Sequence, residues 1–280
     1  SPGRGSFTVL IASAASFDRG ADVAATALEQ LESAERRGFD KMLESNREWW
    51  HEFWKKSFVR LHSADGIAAR VEANYTRFLY VMGSSSRGKF PPKFNGMIWI
   101  TQGDKRDWGN QYWWWNEQGF YFAPTAANHA ELLDPLFDMY SGMTESMATA
   151  ARQQWGSAGI YLPETVAFNG LEVLDVDVAA DLRDLLLERK TLSETSEKFR
   201  AACRRKQPLT PRWSWLHPHA RETVPYAYVA HIFSSGAKIA WQYWLRFEYT
   251  GDLGWLKQTL HEALSSSCFN LGSSGLRHSF

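Results

Sequence analysis

Residues 106–124 read RDWGNQYWWWNEQGFYFAP, and this stretch decides how the fold of the chain is interpreted. Three consecutive tryptophans occupy positions 113–115, among side chains that form hydrogen bonds, namely Asp107, Asn110, Asn116, Glu117 and Gln118. Aromatic rings beside amides and carboxylates suit a sugar, because its C–H faces stack on the rings while its hydroxyl groups bond to the polar atoms. An aromatic core helix accounts for the same residues equally well. The stretch alone leaves both interpretations open.

A second motif lies just upstream, where residues 89–99 read KFPPKFNGMIW. Together, the two stretches resemble the catalytic barrel of glycoside hydrolase family 95, the inverting α-L-fucosidases and α-L-galactosidases. That family has a Pro-x-x-Gln-Gly-Ile-Trp loop, followed by a helix that reads Asp-Tyr-His-x-Asn-x-Asn-x-Gln-x-x-Tyr-Trp-Pro. The positions of this chain that echo the family's loop and helix are Asn95, Gly96, Ile98, Asn116, Gln118, Tyr121 and Pro124.

The resemblance continues downstream but breaks inside the site. Residues 130–137, AELLDPLF, are similar to the Leu-x-Glu-Leu-x-x-Pro-Leu-Phe that opens the family's next helix, and residues 250–252 to its Thr-Gly-Asp turn. The family's first active-site Asn falls on Trp114, its His on Tyr112 and its Asp on Asn110. Over about residues 6–264, the chain therefore resembles a divergent relative of the (α/α)6-barrel glycosidases, with a different way of activating water or a different sugar.

Composition narrows the class of protein. Of the 280 residues, 44% are hydrophobic and 22% are charged, as in globular proteins. The formal net charge is zero, which argues against nucleic acid or an anionic membrane surface as a partner. No apolar stretch reaches the roughly 20 residues of a membrane-spanning helix. The location is not readable from these features, although the resemblance implies a secreted or periplasmic parent protein.

Helical patterns dominate, so the predicted fold is mostly α: a partial (α/α)6 toroid of the six-hairpin glycosidase type. Before the toroid, residues 7–12 predict a remnant β-strand, and residues 22–44 predict a helix interrupted near Gly38. Residues 44–56 predict a second helical segment, whose aromatic cluster favours interface packing over ligand contact. The members of that cluster are Trp49, Trp50, Phe53 and Trp54.

The resemblance also implies the domain organisation. Residues 1–13 are expected to be the terminal strand of a missing N-terminal β-sandwich, and residues 14–62 a helical linker. Residues 63–264 are expected to be the N-terminal part of the catalytic barrel, with an insertion at about 171–224. Residues 265–280 lack periodicity and are expected to be a non-homologous tail, as after a frameshift.

Several helices are predicted within the barrel segment. They cover residues 67–82, a long stretch from an N-cap at Asn128 to about Trp155, and then 178–189, 193–206, 225–251 and 252–264. The predicted buried stripe of the helix at 225–251 consists of Val229, Phe233, Ala240, Trp244 and Phe247. The Pro and Gly residues in and around positions 160–165 predict a loop without regular structure.

Two residues are the catalytic candidates. Asn116 lies where the family places an active-site Asn, so it is expected to contact substrate or water. Glu164 lies in a loop expected to face the cleft, with a substrate contact or an exposed loop acid as alternatives. Glu117 is expected to pack or to face solvent, because on a helix it points about 100° away from Asn116. The predicted substrate contacts are Asn95, Trp99, Trp113, Trp114, Gln118, Trp213 and Trp215.

The chemistry expected of the family needs more than these residues. An inverting glycosidase uses a general acid and a water-activating base, about 6.5–9.5 Å apart. In the family, a Glu in a Pro-Glu-Asn loop is the acid and an Asp supports the base, and both follow the Thr-Gly-Asp turn. Both are therefore expected beyond residue 280, so that residues 1–280 alone would be inactive and fold poorly.

The expected function is hydrolysis of glycosidic bonds in oligo- or polysaccharides, with carbohydrate as the partner. The alternatives are a non-catalytic glycan-binding toroid and a helical scaffold whose tryptophans all belong to the core. Residues 217–219, His-Pro-His, lack the further ligands that a metal site requires, so no metal or cofactor is predicted.

Overall fold

The computed structural model describes residues 7–16, 18–94, 111–171, 173–204 and 232–264, which are mostly helical. The chain divides into two compact units, residues 1–58 and 59–280. In the described part of the chain, no helix is both long and apolar enough to cross a membrane. The tail at residues 265–280 lies outside the described residues.

The first unit consists of helices α1 (Val23–Arg37) and α2 (Phe39–Lys56). The predicted interruption at Gly38 is confirmed: this glycine has φ 75°, a left-handed conformation that favours glycine. On α2, Trp49 stacks on Phe53 at 5.3 Å and Trp50 on Trp54 at 6.1 Å, so the aromatic cluster packs along its own helix. Residues 7–16 have no regular secondary structure, so the strand remains a prediction.

The second unit begins with helix α3 (Ile67–Ser85), which confirms the helix predicted at 67–82. Strand β1 (Tyr112–Trp113) leads directly into α4 (Trp114–Tyr121) and α5 (Ala123–Ala126). A 3₁₀ turn (Ala130–Leu133), α6 (Asp134–Gly142), α7 (Thr144–Ala150) and a π turn (Ala151–Trp155) follow. The remaining elements are β2 (Thr165–Val166), α8 (Val176–Leu186), a 3₁₀ turn (Leu192–Glu194), α9 (Glu197–Arg204), α10 (Ser234–Thr250) and α11 (Leu253–Leu264).

The helix predicted from an N-cap at Asn128 to about Trp155 is helical over most of its length, but it is not a single helix. A 3₁₀ turn, α6, α7 and a π turn follow one another from residue 130 to residue 155, with a break at Met143. Pro135 lies in the first turn of α6, where its missing N–H is tolerated and a helix starts readily. The predicted end is confirmed, since Gly156 closes the segment with φ 68°.

The loop predicted at 160–165 is also wrong at its end. Thr165 and Val166 pair antiparallel with Trp113 and Tyr112 in a two-residue ladder. A ladder this short depends on contacts between segments far apart in sequence, so it leaves no local pattern. Its effect is to bring Glu164 next to the first turn of α4.

The two charged helices predicted at 178–189 and 193–206 are confirmed as α8 and α9, which form a small core together with Trp155. The helix predicted at 225–251 is confirmed as α10 (Ser234–Thr250) with Gly251 as its C-cap, while residues 225–231 lie outside the described part. Its buried face was predicted wrongly. Phe233 and Trp244 are exposed, whereas the buried residues of α10 are Ser235, Ile239, Gln242 and Tyr243.

Candidate functional site

Three donors from two other elements hold Glu164, and two of them reach its carboxylate. The Trp114 N–H donates to the Glu164 carbonyl oxygen at 3.0 Å, and the Trp115 N–H donates to Glu164 Oε1. Ser235 Oγ, in the first turn of α10, donates to Glu164 Oε2 at 3.0 Å. Because Trp113 makes no side-chain cap, Glu164 supplies the acceptor that the first turn of α4 requires.

The environment of Glu164 combines burial with nearby positive charge. The residue is 3% exposed, and burial raises the pKa of its carboxyl group, while the Trp115 N–H, the Ser235 hydroxyl and the Lys238 charge oppose that rise. Lys238 Nζ lies 4.2 Å from the centre of the Trp115 ring, a cation–π contact. Trp115 itself is 60% exposed, so a large aromatic surface stands beside a buried carboxylate.

Glu117 is a second buried acid on the opposite side of α4 from solvent. It is 0% exposed, and within the described residues neither carboxyl oxygen has a hydrogen-bond partner of ordinary geometry. Burial raises the pKa of Glu117 well above its usual value, and the Glu164 charge adds to that rise. The N–H groups of Trp113 and Phe94 and the Lys93 charge oppose it.

The surroundings of Glu164 and Glu117 therefore favour different protonation states. Glu164 accepts two hydrogen bonds and faces Lys238, which stabilise its ionised form. Burial favours the neutral form of Glu117, and the charge of Glu164 adds to that effect, although the N–H groups of Trp113 and Phe94 and the Lys93 charge oppose it. We conclude that Glu164 loses its proton at a lower pH than Glu117.

Aromatic residues enclose Glu117. Trp114, 1% exposed, stacks parallel to Tyr121 at 6.3 Å and meets Tyr140 edge-on at 6.2 Å. Burial, and secondarily the Glu117 charge, raises the pKa of both Tyr121 and Tyr140, so their phenols are neutral. Tyr121 Oη donates to the Pro92 carbonyl at 3.1 Å, which ties the Pro-Pro segment to α4.

Other buried polar groups of the surrounding elements also lack partners within the described residues. They are Gln111 Nε2, Trp114 Nε1, Thr125 Oγ1, Thr165 Oγ1 and both amide atoms of Gln242. Each unpaired buried group costs about 1–3 kcal/mol, so native proteins usually satisfy such groups with water or ligand. Trp114, Thr125 and Gln242 belong to α4, α5 and α10, and α10 contacts both of the other helices.

The structure places the predicted site residues in different settings. Glu164 lies at the first turn of α4, as described. Asn116 is exposed on that helix. Trp113 and Gln118 are half-buried, and Gln118 Nε2 donates to the Trp115 carbonyl at 3.1 Å, while Trp114 lies in the core. Asn95, Trp99, Trp213, Trp215, Asp107 and residues 217–219 lie outside the described residues.

The sequence interpretation missed four residues of this site. Glu117 was expected to pack or to face solvent, and it does pack, as a fully buried acid. Its position at i+3 from Trp114 and i−4 from Tyr121, on the aromatic face of α4, was the available signal. Ser235, Lys238 and Lys93 carried no signal, because their roles depend on which segments meet in space. Within the described residues, no group of three or more His, Cys, Asp or Glu could hold a metal ion.

The described residues are mostly helical, and the buried acid Glu164 lies beside the exposed Trp115 ring. Residues 40–175 match the family model of the glycosyl hydrolase family 95 catalytic domain. The chain is thus a divergent protein similar to glycosyl hydrolase family 95, as the loop and helix motifs predicted. Glu117 and Glu164 both lie within the matched segment. No curated protein and no solved structure matches the chain.

Proposed function

We propose that this protein is a glycoside hydrolase that cleaves glycosidic bonds in oligo- or polysaccharides by an inverting acid/base mechanism. The observation that carries the proposal is the Glu164 carboxylate, fixed between α4 and α10 beside the exposed Trp115 ring, within the family-matched segment. Sites that bind sugars combine an apolar wall with a few oriented polar groups, and this arrangement has both.

An inverting hydrolysis requires one group that removes a proton from the attacking water and another that donates a proton to the leaving oxygen. The oxygen of a water attacks the anomeric carbon as the bond from that carbon to the leaving oxygen breaks. A carboxylate accepts the proton of the water, and an acid protonates the leaving oxygen. In the family that this chain resembles, the acid follows the Thr-Gly-Asp turn, which corresponds to residues 250–252 here, so we assign neither Glu117 nor Glu164 as that acid.

We assign Glu164 to the water or to a substrate hydroxyl. A carboxylate has about four lone-pair sites, and Trp115 and Ser235 occupy only two of those on Glu164. Asn116, exposed one residue after Trp115, is proposed as a second polar contact to substrate or water. A neutral Glu117 would support this role, because it would leave the charge of Glu164 without a second negative charge nearby.

The aromatic wall is proposed to be Trp115. Lys238 lies over its ring, and much of the remaining ring surface is exposed to solvent. A pyranose can stack its C–H face on such a ring. The half-buried Trp113 and Gln118 are proposed as neighbouring contacts, and Asn95, Trp99, Trp213 and Trp215 remain proposed from the sequence.

A non-catalytic glycan-binding protein is the second candidate, and one observation favours it. Glu164 caps the first turn of α4, so its burial and its hydrogen bonds have a structural explanation that needs no chemistry. In that case, Trp115 and the polar groups around it would bind sugar without cleaving it.

The test is a hydrolysis assay of the complete protein that contains these residues. Aryl glycosides and neutral oligosaccharides serve as substrates, and NMR reports the anomer that forms first. We expect inversion, and we expect Glu164→Gln, which keeps an acceptor for the Trp115 N–H, to lower kcat/KM by about 100-fold or more. Binding without hydrolysis would support the second candidate. A protein that neither binds nor cleaves any of these sugars would refute both.

A further inference from the structure

A groove at the junction of α6 and α11 lies apart from Glu164. Its volume is about 490 Å³, and its lining includes Asp134, Phe137, Asp138, Ser141, Trp255 and Gln258. This volume falls within the range of about 300–1,000 Å³ that is typical of sites for small molecules. The lining pairs aromatic carbon with carboxylate, hydroxyl and amide groups.

The aromatic wall of the groove is held rigidly. Arg246 Cζ lies 4.1 Å from the centre of the Trp255 ring, and Phe137 meets the ring edge-on at 5.1 Å. Arg246 also forms a salt bridge with Asp134, so that the guanidinium is fixed in turn. Trp255 is half-buried, and no described residue accepts a hydrogen bond from its Nε1–H. The ring therefore offers a fixed surface and one donor to a ligand.

The polar groups favour an uncharged, hydroxyl-rich ligand. The groove contains two carboxylates, Asp134 and Asp138, but Arg246 balances the charge of Asp134. The groove therefore does not favour a cation. Asp138 and Gln258 are exposed in the lining of the groove, and the Gln258 amide supplies a donor and an acceptor that suit neighbouring hydroxyl groups. Ser141 Oγ is held by Tyr243 Oη at 3.1 Å, which adds a positioned hydroxyl.

Helix α10 separates this groove from Glu164. Ser235, which bonds to Glu164, and Arg246, which covers Trp255, are eleven residues apart on that helix. At 1.5 Å per residue, this spacing corresponds to about 16 Å along the axis. We propose that the groove between α6 and α11 is a second saccharide-binding site, which does not require the protein to be an enzyme.

The test is a binding measurement on the full chain. Isothermal titration and saturation-transfer NMR would use fucose, galactose, xylose, glucose and neutral oligomers of these sugars. The Glu164→Gln variant removes the carboxylate of the first site, and binding at the groove should persist in it. Adding Asp138→Asn or Gln258→Ala should weaken the remaining affinity by about five- to tenfold. Lys257→Ala, exposed on the same helix, is the matched control and should have no effect.

Trp255→Phe provides an independent reading, because it keeps an aromatic ring in the core but removes the Nε1–H donor. It should also weaken binding. The proposal is overturned if no sugar binds in the Glu164→Gln background, or if binding there is unaffected by all three groove variants. If the proposal is overturned in this way, the proposed function still stands, provided that proteins with an intact Glu164 and a groove substitution bind sugar.

Discussion

Ser235 Oγ donates a hydrogen bond of 3.0 Å to Glu164 Oε2, and the two residues are 71 positions apart in the sequence. The bond joins the loop that leads into β2 to the first turn of α10. Since the other carboxyl oxygen of Glu164 accepts from the Trp115 N–H, one acid connects three elements of the second unit. Its orientation is therefore set by the fold and not by solvent.

Replacement of Ser235 by Ala should destabilise the protein. The substitution removes a buried hydrogen-bond donor from the Glu164 carboxylate, whose ionised form is already disfavoured by burial. Hydrogen bonds to charged groups contribute about 1.5–3 kcal/mol. Chemical denaturation would measure the change in the free energy of unfolding. The neighbouring Ser234 is exposed, so Ser234→Ala is the matched control. Equal stability of the two variants would mean that the Ser235 bond contributes nothing.

Glu117→Gln should stabilise the protein at neutral pH. Because burial raises the pKa of Glu117 above its usual 4.5, the folded state keeps a proton that the unfolded chain has released. Stability from this group is therefore complete below pH 4.5 and is lost as the pH rises towards the folded pKa. The wild type should lose up to about 1.4 kcal/mol per pH unit in that window relative to Glu117→Gln.

The measurement is the free energy of unfolding of both proteins between pH 4 and pH 8. Glu145→Gln, at an exposed position on α7, is the control and should follow the wild type. A wild-type protein that gains stability relative to Glu117→Gln as the pH rises would show that Glu117 is ionised and paired in the folded state.

Gly170→Ala should disrupt the turn that follows β2. Gly170 has φ 91°, and a Cβ there would lie 2.4 Å from Ser146 Oγ and 2.9 Å from Met147 Cε. Backbone strain and overlap together should cost about 2–5 kcal/mol. Gly119→Ala is the contrasting substitution, because it lies inside α4 with nothing within 4 Å, and it should stabilise by about 0.5–1 kcal/mol. Thermal melts of the two variants that shift in the same direction would contradict this account.

The adjacent residues Trp114 and Trp115 should separate packing from binding. Trp114 is 1% exposed and stacks on Tyr121, so Trp114→Ala should cost about 3–5 kcal/mol. Trp115 is 60% exposed, so Trp115→Ala should leave stability nearly unchanged but weaken sugar binding. Denaturation and titration calorimetry would be run on both variants. Unchanged sugar affinity in Trp115→Ala would remove it as the wall of the site.

Asn116→Ala addresses the residue that sequence comparison favours most. Its side chain is exposed, so the substitution should not lower thermal stability. If Asn116 contacts substrate or water, kcat/KM of the complete protein should fall by about tenfold or more. A loss of stability with unchanged kinetics would instead mark the residue as structural.

Much of the helical fold could be predicted from the sequence, because local patterns determine it. The periodicity of α3, the charged stripes of α8 and α9 and the glycine stops at Gly38 and Gly251 all hold in the structure. The family resemblance also rested on local motifs and agrees with the match over residues 40–175. Domain boundaries and the roles of individual residues remain predictions.

The parts that could not be predicted depend on contacts between distant segments. The β1–β2 ladder has two residues on each side and no sequence signature. It nevertheless brings Glu164 next to the first turn of α4. Helix α10 buries Ser235 and Gln242 in preference to Phe233 and Trp244, so hydrophobic periodicity indicated the wrong face. A polar buried face of this kind is expected where a fold supports a polar site, which is where pattern-based prediction fails.

The most direct test of the site is a ¹³C NMR titration of protein labelled at the glutamate side-chain carboxyl carbons. Glu117→Gln and Glu164→Gln would assign the two resonances. Because burial raises the pKa of Glu117 well above its usual value, we predict that Glu164 loses its proton at a lower pH than Glu117. We also predict that the Glu164 resonance shifts when a saccharide is added. A Glu117 that ionises before Glu164, or a Glu164 resonance that no saccharide perturbs, would contradict the assignment of Glu164 to a carbohydrate site.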